Sequence, residues 1–340
     1  MITSSPGIEK LLKEEKMEDV PCPICHAEGK KQNDKVVATY GYPNVHFQNV
    51  ICKNCALTRI NPRMTIKGYD RFYKEVFFEY LDPYGRPAYV EEIEQTTNDR
   101  FWTPTRKWLM PYILPWVKEG SKVLDIGAGF GSVLYYLKKE KNTVGVGLEP
   151  DPESAKIAKE KIGIELLDET VESYFAKNND IFDFIVLNQT YEHLLNPLET
   201  LKQLKERLTP EGLIYIGVPN GYRFGAPFYL FFQLAHTYNY TPYSFKKLAA
   251  LAGLKVVNVR DPRRHPLEVL LSHPDANTPT ERDEVLSVGQ DYKDVIWEMR
   301  KKKYRENVRA VMKSILTKLF GPKIKESIRK IIDKTIRYRY

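Results

Sequence analysis

The chain has 340 residues, 42% hydrophobic and 28% charged, with a formal net charge of +8. This balance describes a globular protein larger than one typical domain and excludes a disordered or fibrous chain. No apolar run approaches the ~18 residues of a membrane span, and the N-terminal Met-Ile-Thr-Ser-Ser-Pro-Gly lacks the basic and apolar regions of a secretory signal, so a cytoplasmic location is expected.

Residues 1–65 open with a short charged helix over 8–18. Cys22-Pro-Ile-Cys25 and Cys52-Lys-Asn-Cys55 follow, separated by 26 residues. Two close pairs allow four thiolates to meet around a tetrahedral structural zinc. The alternative, two disulfides or incidental thiols, suits neither so short a Cys-x-x-Cys loop nor a chain without secretory context. Between the pairs, alternating residues predict strands over 36–40 and 45–51, joined by a turn at Gly41-Tyr-Pro-Asn44. His26 and His46 lie nearby and are read as surface or packing residues.

Residues 66–119 form an aromatic helical linker. Tyr69, Phe72, Tyr73, Phe77, Phe78 and Tyr80 recur at helical spacing, as a face packed on the next domain or as a substrate cover. Residues 91–118 read as helical, interrupted by Pro104, Pro111 and Pro115. From 120 to 262 strand and helix patterns alternate, which predicts a parallel, Rossmann-like doubly wound sheet of α/β class. Its helices fall at 132–139, 152–161, 198–208 and 244–252, and its strands at 182–188, after Thr-Pro-Glu-Gly212 and at 254–260. Residues 261–283 read as loop.

The first strand of this region, Val123-Leu-Asp-Ile126, runs into Gly127-Ala-Gly-Phe-Gly131. Glycine at alternate positions lets a ligand lie against bare backbone. Glu149 ends the next strand, 18 residues past Gly131, where an open α/β sheet places the group that grips ribose hydroxyls. A dinucleotide fingerprint would need glycine where Ser132 stands. Asp125 would also repel a pyrophosphate, whereas it suits a cationic ligand such as S-adenosylmethionine.

Over about 122–260 the chain resembles the class I S-adenosylmethionine-dependent methyltransferases. The resemblance rests on these motifs, on Phe182-Asp-Phe-Ile-Val-Leu-Asn188 followed by Thr190-Tyr-Glu-His-Leu-Leu-Asn-Pro197, and on Leu208 to Asn220. It implies that Asp125 orients the methionine part, that Gly127, Ala128 and Gly129 press backbone against the cofactor, and that Glu149 accepts from the ribose. Val171 would meet adenine, and Asn188 and Gln189 would border the methionine moiety. His193 and His236 are the base candidates, because imidazole, with a pKa of about 6.5, suits proton removal at neutral pH. The absence of an Asn-Pro-Pro-Tyr or Asp-Pro-Pro-Tyr run weakens adenine N-methylation, and no cysteine follows residue 55 to act as a nucleophile.

The cysteine pairs with Asn61-Pro-Arg-Met-Thr65 and Tyr69-Asp-Arg-Phe-Tyr73 look like those of bacterial surface-polysaccharide and sugar methyltransferases. Related carbon-methylating enzymes carry a further folded domain where this chain has residues 263–340, read as loop and basic helices, so a sugar or glycan hydroxyl is the expected acceptor. An rRNA methyltransferase with a zinc-ribbon RNA reader, a small-molecule methyltransferase and a non-catalytic binding protein are the alternatives. Residues 300–340 carry 15 Lys/Arg against 3 Asp/Glu, leaving residues 1–299 at −4, which disfavours a broad nucleic-acid groove over the catalytic part. Ile324, Ile328, Ile331, Ile332 and Ile336 form an amphipathic basic pattern. It reads as a packed helix or as peripheral attachment to the inner face of an anionic membrane, which would serve a lipid-linked glycan.

Overall fold

The computed structural model describes residues 6–27, 33–42, 45–77, 93, 96, 97, 103–225 and 231–320. Phe78, Tyr80, much of 91–102 and the isoleucine pattern at 324–336 lie outside the described residues.

The N-terminal part begins with α1 (Pro6–Glu14) and β1 (Met17–Glu18). It continues through β2 (Asp34–Tyr42), β3 (Val45–Cys52), β4 (Thr58–Ile60) and β5 (Arg63–Met64). β2 and β3 form the expected hairpin and β4 joins as a third antiparallel strand. A buried ion pair between Arg59 and Asp34, 2.7 Å apart, ties β4 to β2. α2 (Ile66–Arg71), capped by Thr65, runs into a π-helical turn over Phe72–Val76. Tyr69 and Phe72 are buried in a cluster with Ile8, Phe47, Met64, Leu234 and Ala235.

The second part is a six-stranded sheet in the order β11-β12-β9-β8-β6-β7. Its strands are β6 (Lys122–Ile126), β7 (Val144–Leu148), β8 (Phe182–Asn188), β9 (Leu208–Val218), β11 (Lys255–Val259) and β12 (Leu267–Ser272). β7, β6, β8 and β9 are parallel, as expected. β12 is not: it runs antiparallel between β9 and β11, so the sheet is mixed. The expected loop at 261–283 is therefore corrected, and the boundary at 262 falls between two paired strands. Glu268 hid this strand, since a charge interrupts its apolar run. It is held in the sheet by an ion pair with Arg260 at 3.1 Å and a hydrogen bond from Tyr215.

Helices cover both faces. α3 (Ser132–Lys141), α4 (Pro152–Ile162), α6 (Pro197–Glu206) and α7 (Pro242–Leu251) follow the periodicity read from the sequence, while α5 (Val171–Lys177) is a helix it did not predict. The period of two is visible in β8, where Ile185 and Leu187 join one apolar cluster and Phe184 and Val186 the other. Phe182 breaks the alternation because the register shifts between it and Phe184. Burying each such side chain contributes roughly 1.5–3 kcal/mol.

The two parts share a sheet. The short strand β10 (Tyr238–Asn239), which follows β9 in the chain, pairs with β4 and becomes the fourth strand of the cysteine-bearing sheet. Finally, α8 (Tyr292–Phe320) buries Val295, Ile296 and Met299 in a cluster with Ile51, Phe231 and Phe232, and exposes Trp297, Tyr304, Val311 and Met312. No helix among the described residues is long and apolar enough to cross a membrane.

Candidate active site

The loop after β6 is shaped by positive backbone φ angles at Gly127 (68°), Gly129 (56°) and Gly131 (73°). A side chain at Gly127 would run into Thr190 Oγ1, whereas one at Gly129 would meet nothing within 4 Å. Gly127 therefore brings this loop against the segment after β8, and Gly129 leaves open space for a ligand. Gly127→Ala should cost more than the ~1–2 kcal/mol of left-handed strain alone, because it adds a steric clash. Thermal unfolding should show a larger loss there than for Gly129→Ala.

Glu149 closes the loop from the other side. Its Oε2 accepts from Gly129 N at 2.8 Å and its Oε1 from Asp151 N at 3.0 Å, which leaves further lone pairs on each oxygen. Asp125 is buried and its Oδ2 has no hydrogen-bond partner. Burial pushes both carboxyls up to about 7, with Glu149 adding to the shift of Asp125. An orphaned carboxylate beside a second acid calls for a cation.

The remaining expected cofactor residues lie at unequal depths beside this loop. Ala128 lies in the loop, and its Cβ would crowd a side chain placed at Gly147. Asn188 ends β8, half-buried, with Oδ1 accepting from Tyr215 OH at 3.4 Å. Gln189 is exposed in a left-handed conformation (φ 56°), its amide donating to Gly217 O at 2.7 Å. Val171 is buried in the same apolar cluster as Ile126 and Leu148, the last residues of β6 and β7. Asp168, which the sequence reading passed over, lies near enough to Glu149 to raise its pKa further. The bridge between Leu148 and Leu167 carries the chain there.

On the acceptor side, His193 closes a 3-10 turn (Tyr191–His193) that starts two residues after Gln189. Its Nδ1 lies 2.9 Å from Ala235 O and 3.3 Å from Tyr73 OH. Desolvation pulls its pKa down to about 4 against the pull of the Ala235 and Gln189 carbonyls, so the ring is neutral at pH 7. His236 packs edge-on against it, with ring centroids 5.2 Å apart. Both its nitrogens are occupied, Nδ1 at Phe231 O (3.0 Å) and Nε2 at the Gln233 amide (2.8 Å). Burial lowers its pKa to about 3. These bonds leave His193 the better placed of the two base candidates. Glu192, Tyr73 and Gln233 complete the cluster. None was singled out for this site from the sequence, although Glu192 and Gln233 neighbour candidate histidines.

The cysteines form two matching knuckles. Cys22 N donates to Ala27 O and His26 N to Cys22 O; Cys52 N donates to Leu57 O and Ala56 N to Cys52 O. His26 and Ala56, each following the second cysteine of its pair, share a left-handed backbone (φ 53° and 57°). The thiols are free, with Cys22 and Cys55 sulfurs 3.4 Å apart and Cys25 and Cys52 sulfurs 3.5 Å apart. All four sulfurs lie within 4.8 Å of one another. Hydrogen bonds with Cys22 and Cys52, then burial, push the Cys55 thiol far up. Hydrogen bonds from Cys22 and Cys55 favour the Cys52 thiolate. Four thiolates can coexist here only around a cation, and the donor set fits zinc. His26 follows the knuckle as a turn residue, and the His46 side chain lies outside the described residues.

Known proteins match the region around this cleft. A family model described as a methyltransferase domain matches residues 100–259. The ubiquinone biosynthesis O-methyltransferase of Salmonella paratyphi A is 29% identical over 106 residues, which is 30% of this chain and 43% of that enzyme. Its counterpart in Actinobacillus pleuropneumoniae serotype 5b is 26% identical over 157 residues, 38% of this chain and 67% of the relative. The chain thus spans between under half and two thirds of these relatives' length. Among solved structures, the 1,6-didemethyltoxoflavin-N1-methyltransferase of Burkholderia thailandensis is 18% identical with a TM-score of 0.45, covering 70% of this chain and 99% of that one. A methyltransferase of Aquifex aeolicus is 21% identical with a TM-score of 0.40, covering 55% and 98%.

Proposed function

We propose that this protein is an S-adenosylmethionine-dependent O-methyltransferase whose acceptor is a hydroxyl of a sugar or glycan, with a structural zinc held by Cys22, Cys25, Cys52 and Cys55. The observation that carries the reading is the contact between the two loops. The acid-flanked glycine loop abuts Thr190, and the next residues supply a polar, half-enclosed wall of His193, Tyr73, Gln233 and His236. Such a wall suits a polyhydroxylated acceptor. O-methylation also agrees with what the names of the Salmonella and Actinobacillus relatives say of those enzymes.

When bound, the cofactor supplies an electrophilic methyl on a sulfonium. Asp125 would neutralise the cationic methionine end, and Glu149 would accept from the ribose while keeping Gly129 in place. Val171 would border adenine, and Asn188 and Gln189 the methionine end. His193, fixed through Nδ1 by the Ala235 carbonyl with Tyr73 holding the ring, would take the acceptor's proton. Thr237 closes this side by donating to Glu192 O at 2.8 Å. The basic, partly apolar outer face of α8 suits an anionic membrane surface, where a lipid-linked glycan would be concentrated.

A second reading is a phenolic acceptor, favoured by the ubiquinone-pathway relatives. Labelled methyl transfer to a panel of nucleotide sugars, glycans and catechols separates the two. Label on catechols alone would replace the sugar reading, and label on RNA alone would remove both.

The raised carboxyl values fix a pH dependence. Below pH 7 the free protein holds protons on Asp125 and Glu149 that a cationic donor must displace. Affinity should therefore fall as pH drops through 7, by up to about tenfold per pH unit for each carboxyl, and level off above it. Stability of the free protein runs the opposite way. Both carboxyls ionise less readily folded than unfolded, so stability is lost as pH rises from the ordinary values of 3.8 and 4.5 towards 7. The thermal shift produced by the cofactor should thus be larger at pH 8 than at pH 6.

A further inference from the structure

Glu192 is fully buried, and neither of its carboxylate oxygens has a hydrogen-bond partner. The fold places it between Tyr191, whose OH donates to Pro197 O, and His193. One oxygen of Glu192 and one ring nitrogen each of His193 and His236 lie within 4.8 Å of one another. In each histidine Nδ1 faces a backbone carbonyl, Ala235 O for His193 and Phe231 O for His236. That outer contact fixes the proton on Nδ1 and orients a neutral ring, as it does in histidines that ligate metals through Nε2.

We propose that Glu192, His193 and His236 bind a divalent metal ion on the acceptor side of the cleft, a second metal site distinct from the four cysteines. Two imidazoles and one carboxylate suit zinc, iron, cobalt or manganese and leave coordination positions open. The Gln233 amide, now donating to His236 Nε2, is the group the ion displaces. The three ligands come from two segments that already hold each other, through Thr237 to the Glu192 and Leu194 carbonyls and through His193 to Ala235. The ion therefore needs only a local contraction, not a rearrangement of the fold.

This inference deepens the acceptor side of the proposed function. An acceptor hydroxyl on an open coordination position would lose its proton more readily, and His193 would then act as a ligand instead of a base. The alternative occupant is nothing: burial pushes the Glu192 carboxyl up to about 8, so it could sit protonated as filler.

Metal content of the full chain separates these. One equivalent of zinc, which the four thiolates take first, loads the ribbon, and cobalt(II) is then titrated in. The wild type should take up one further equivalent, with absorption lacking thiolate charge-transfer. Glu192→Gln and His236→Asn should each lose that equivalent while keeping the zinc. Calorimetry with S-adenosylmethionine confirms that both variants are folded, and it reads the cofactor cleft without reference to the acceptor or to methyl transfer. Glu192→Gln should melt higher than the wild type in the zinc-loaded protein before cobalt is added, where it removes a buried carboxyl, and lower when cobalt is present. A wild type that takes up no further cobalt, or a Glu192→Gln variant that takes up as much, overturns the site. Methylation of a different acceptor class would sink the sugar reading and leave these metal counts unchanged.

Discussion

Replacing Glu149 by alanine should weaken binding of S-adenosylmethionine by at least about 100-fold while leaving the protein folded. Two hydrogen bonds from ribose hydroxyls to a carboxylate contribute roughly 1.5–3 kcal/mol each, and about 2.7 kcal/mol corresponds to 100-fold. The same carboxylate accepts from Gly129 and Asp151 amides, so its loss also loosens the loop that lies against the cofactor. Glu149→Gln should fall between, because one amide oxygen can still accept. His193→Ala gives the contrasting result. It lies beyond Thr190, on the acceptor side, and should leave cofactor affinity within a few-fold while lowering turnover by about 10²–10⁴. Calorimetry and single-turnover rates on both variants check this division. Equal loss of affinity in the two would mean that the donor and acceptor roles are wrongly assigned.

The donor side was legible in the sequence because its chemistry is local. Asp125, the glycines and Glu149 lie at strand ends, where hydrophobic periodicity alone announces the strand, the loop and the helix that follow. The four cysteines were legible for the same reason, as fixed spacing within two short turns. The acceptor side was not. Tyr73 reaches His193 from 120 residues away in sequence, and Arg63 reaches the Leu195 carbonyl from 132. No periodicity encodes such contacts. Strand β12 escaped for a different cause: its buried Glu268 reads as a surface residue until Arg260 and Tyr215 are seen beside it. His236 stood out by residue type as a base, yet tertiary bonds to Phe231 and Gln233 occupy both of its nitrogens.

Those distant contacts also determine what the proposed zinc ribbon would do. β4 pairs with β10, Ile60 N donates to Thr237 O at 3.0 Å, and Arg63 bonds both the Leu195 carbonyl and the Tyr238 hydroxyl. Thr237 and Tyr238 adjoin His236, and Leu195 lies two residues past His193. On the proposed function, the cysteine-bearing sheet would form one wall of the acceptor site, and a zinc held there would act on catalysis without touching substrate. Zinc contributes on the order of 10–16 kcal/mol to small thiolate-ligated folds, as much as the whole stability of a typical domain. Stripping it with a chelator, or replacing Cys52 by serine, should unfold β2 to β4 and release β10. A displacement of about 1 Å in an acceptor wall can cost about 100-fold in rate, so turnover should fall by at least that much. Cofactor affinity should change by less than about threefold, a difference well under 1 kcal/mol, because β6, β7 and the glycine loop belong to the six-stranded sheet and not to the four-stranded sheet that carries the cysteines. Calorimetry and labelled transfer on the stripped protein, with readdition of zinc restoring the rate, read this directly. Loss of cofactor binding in parallel with turnover would show that ribbon and sheet unfold as one unit, and the coupling would then be one of stability alone.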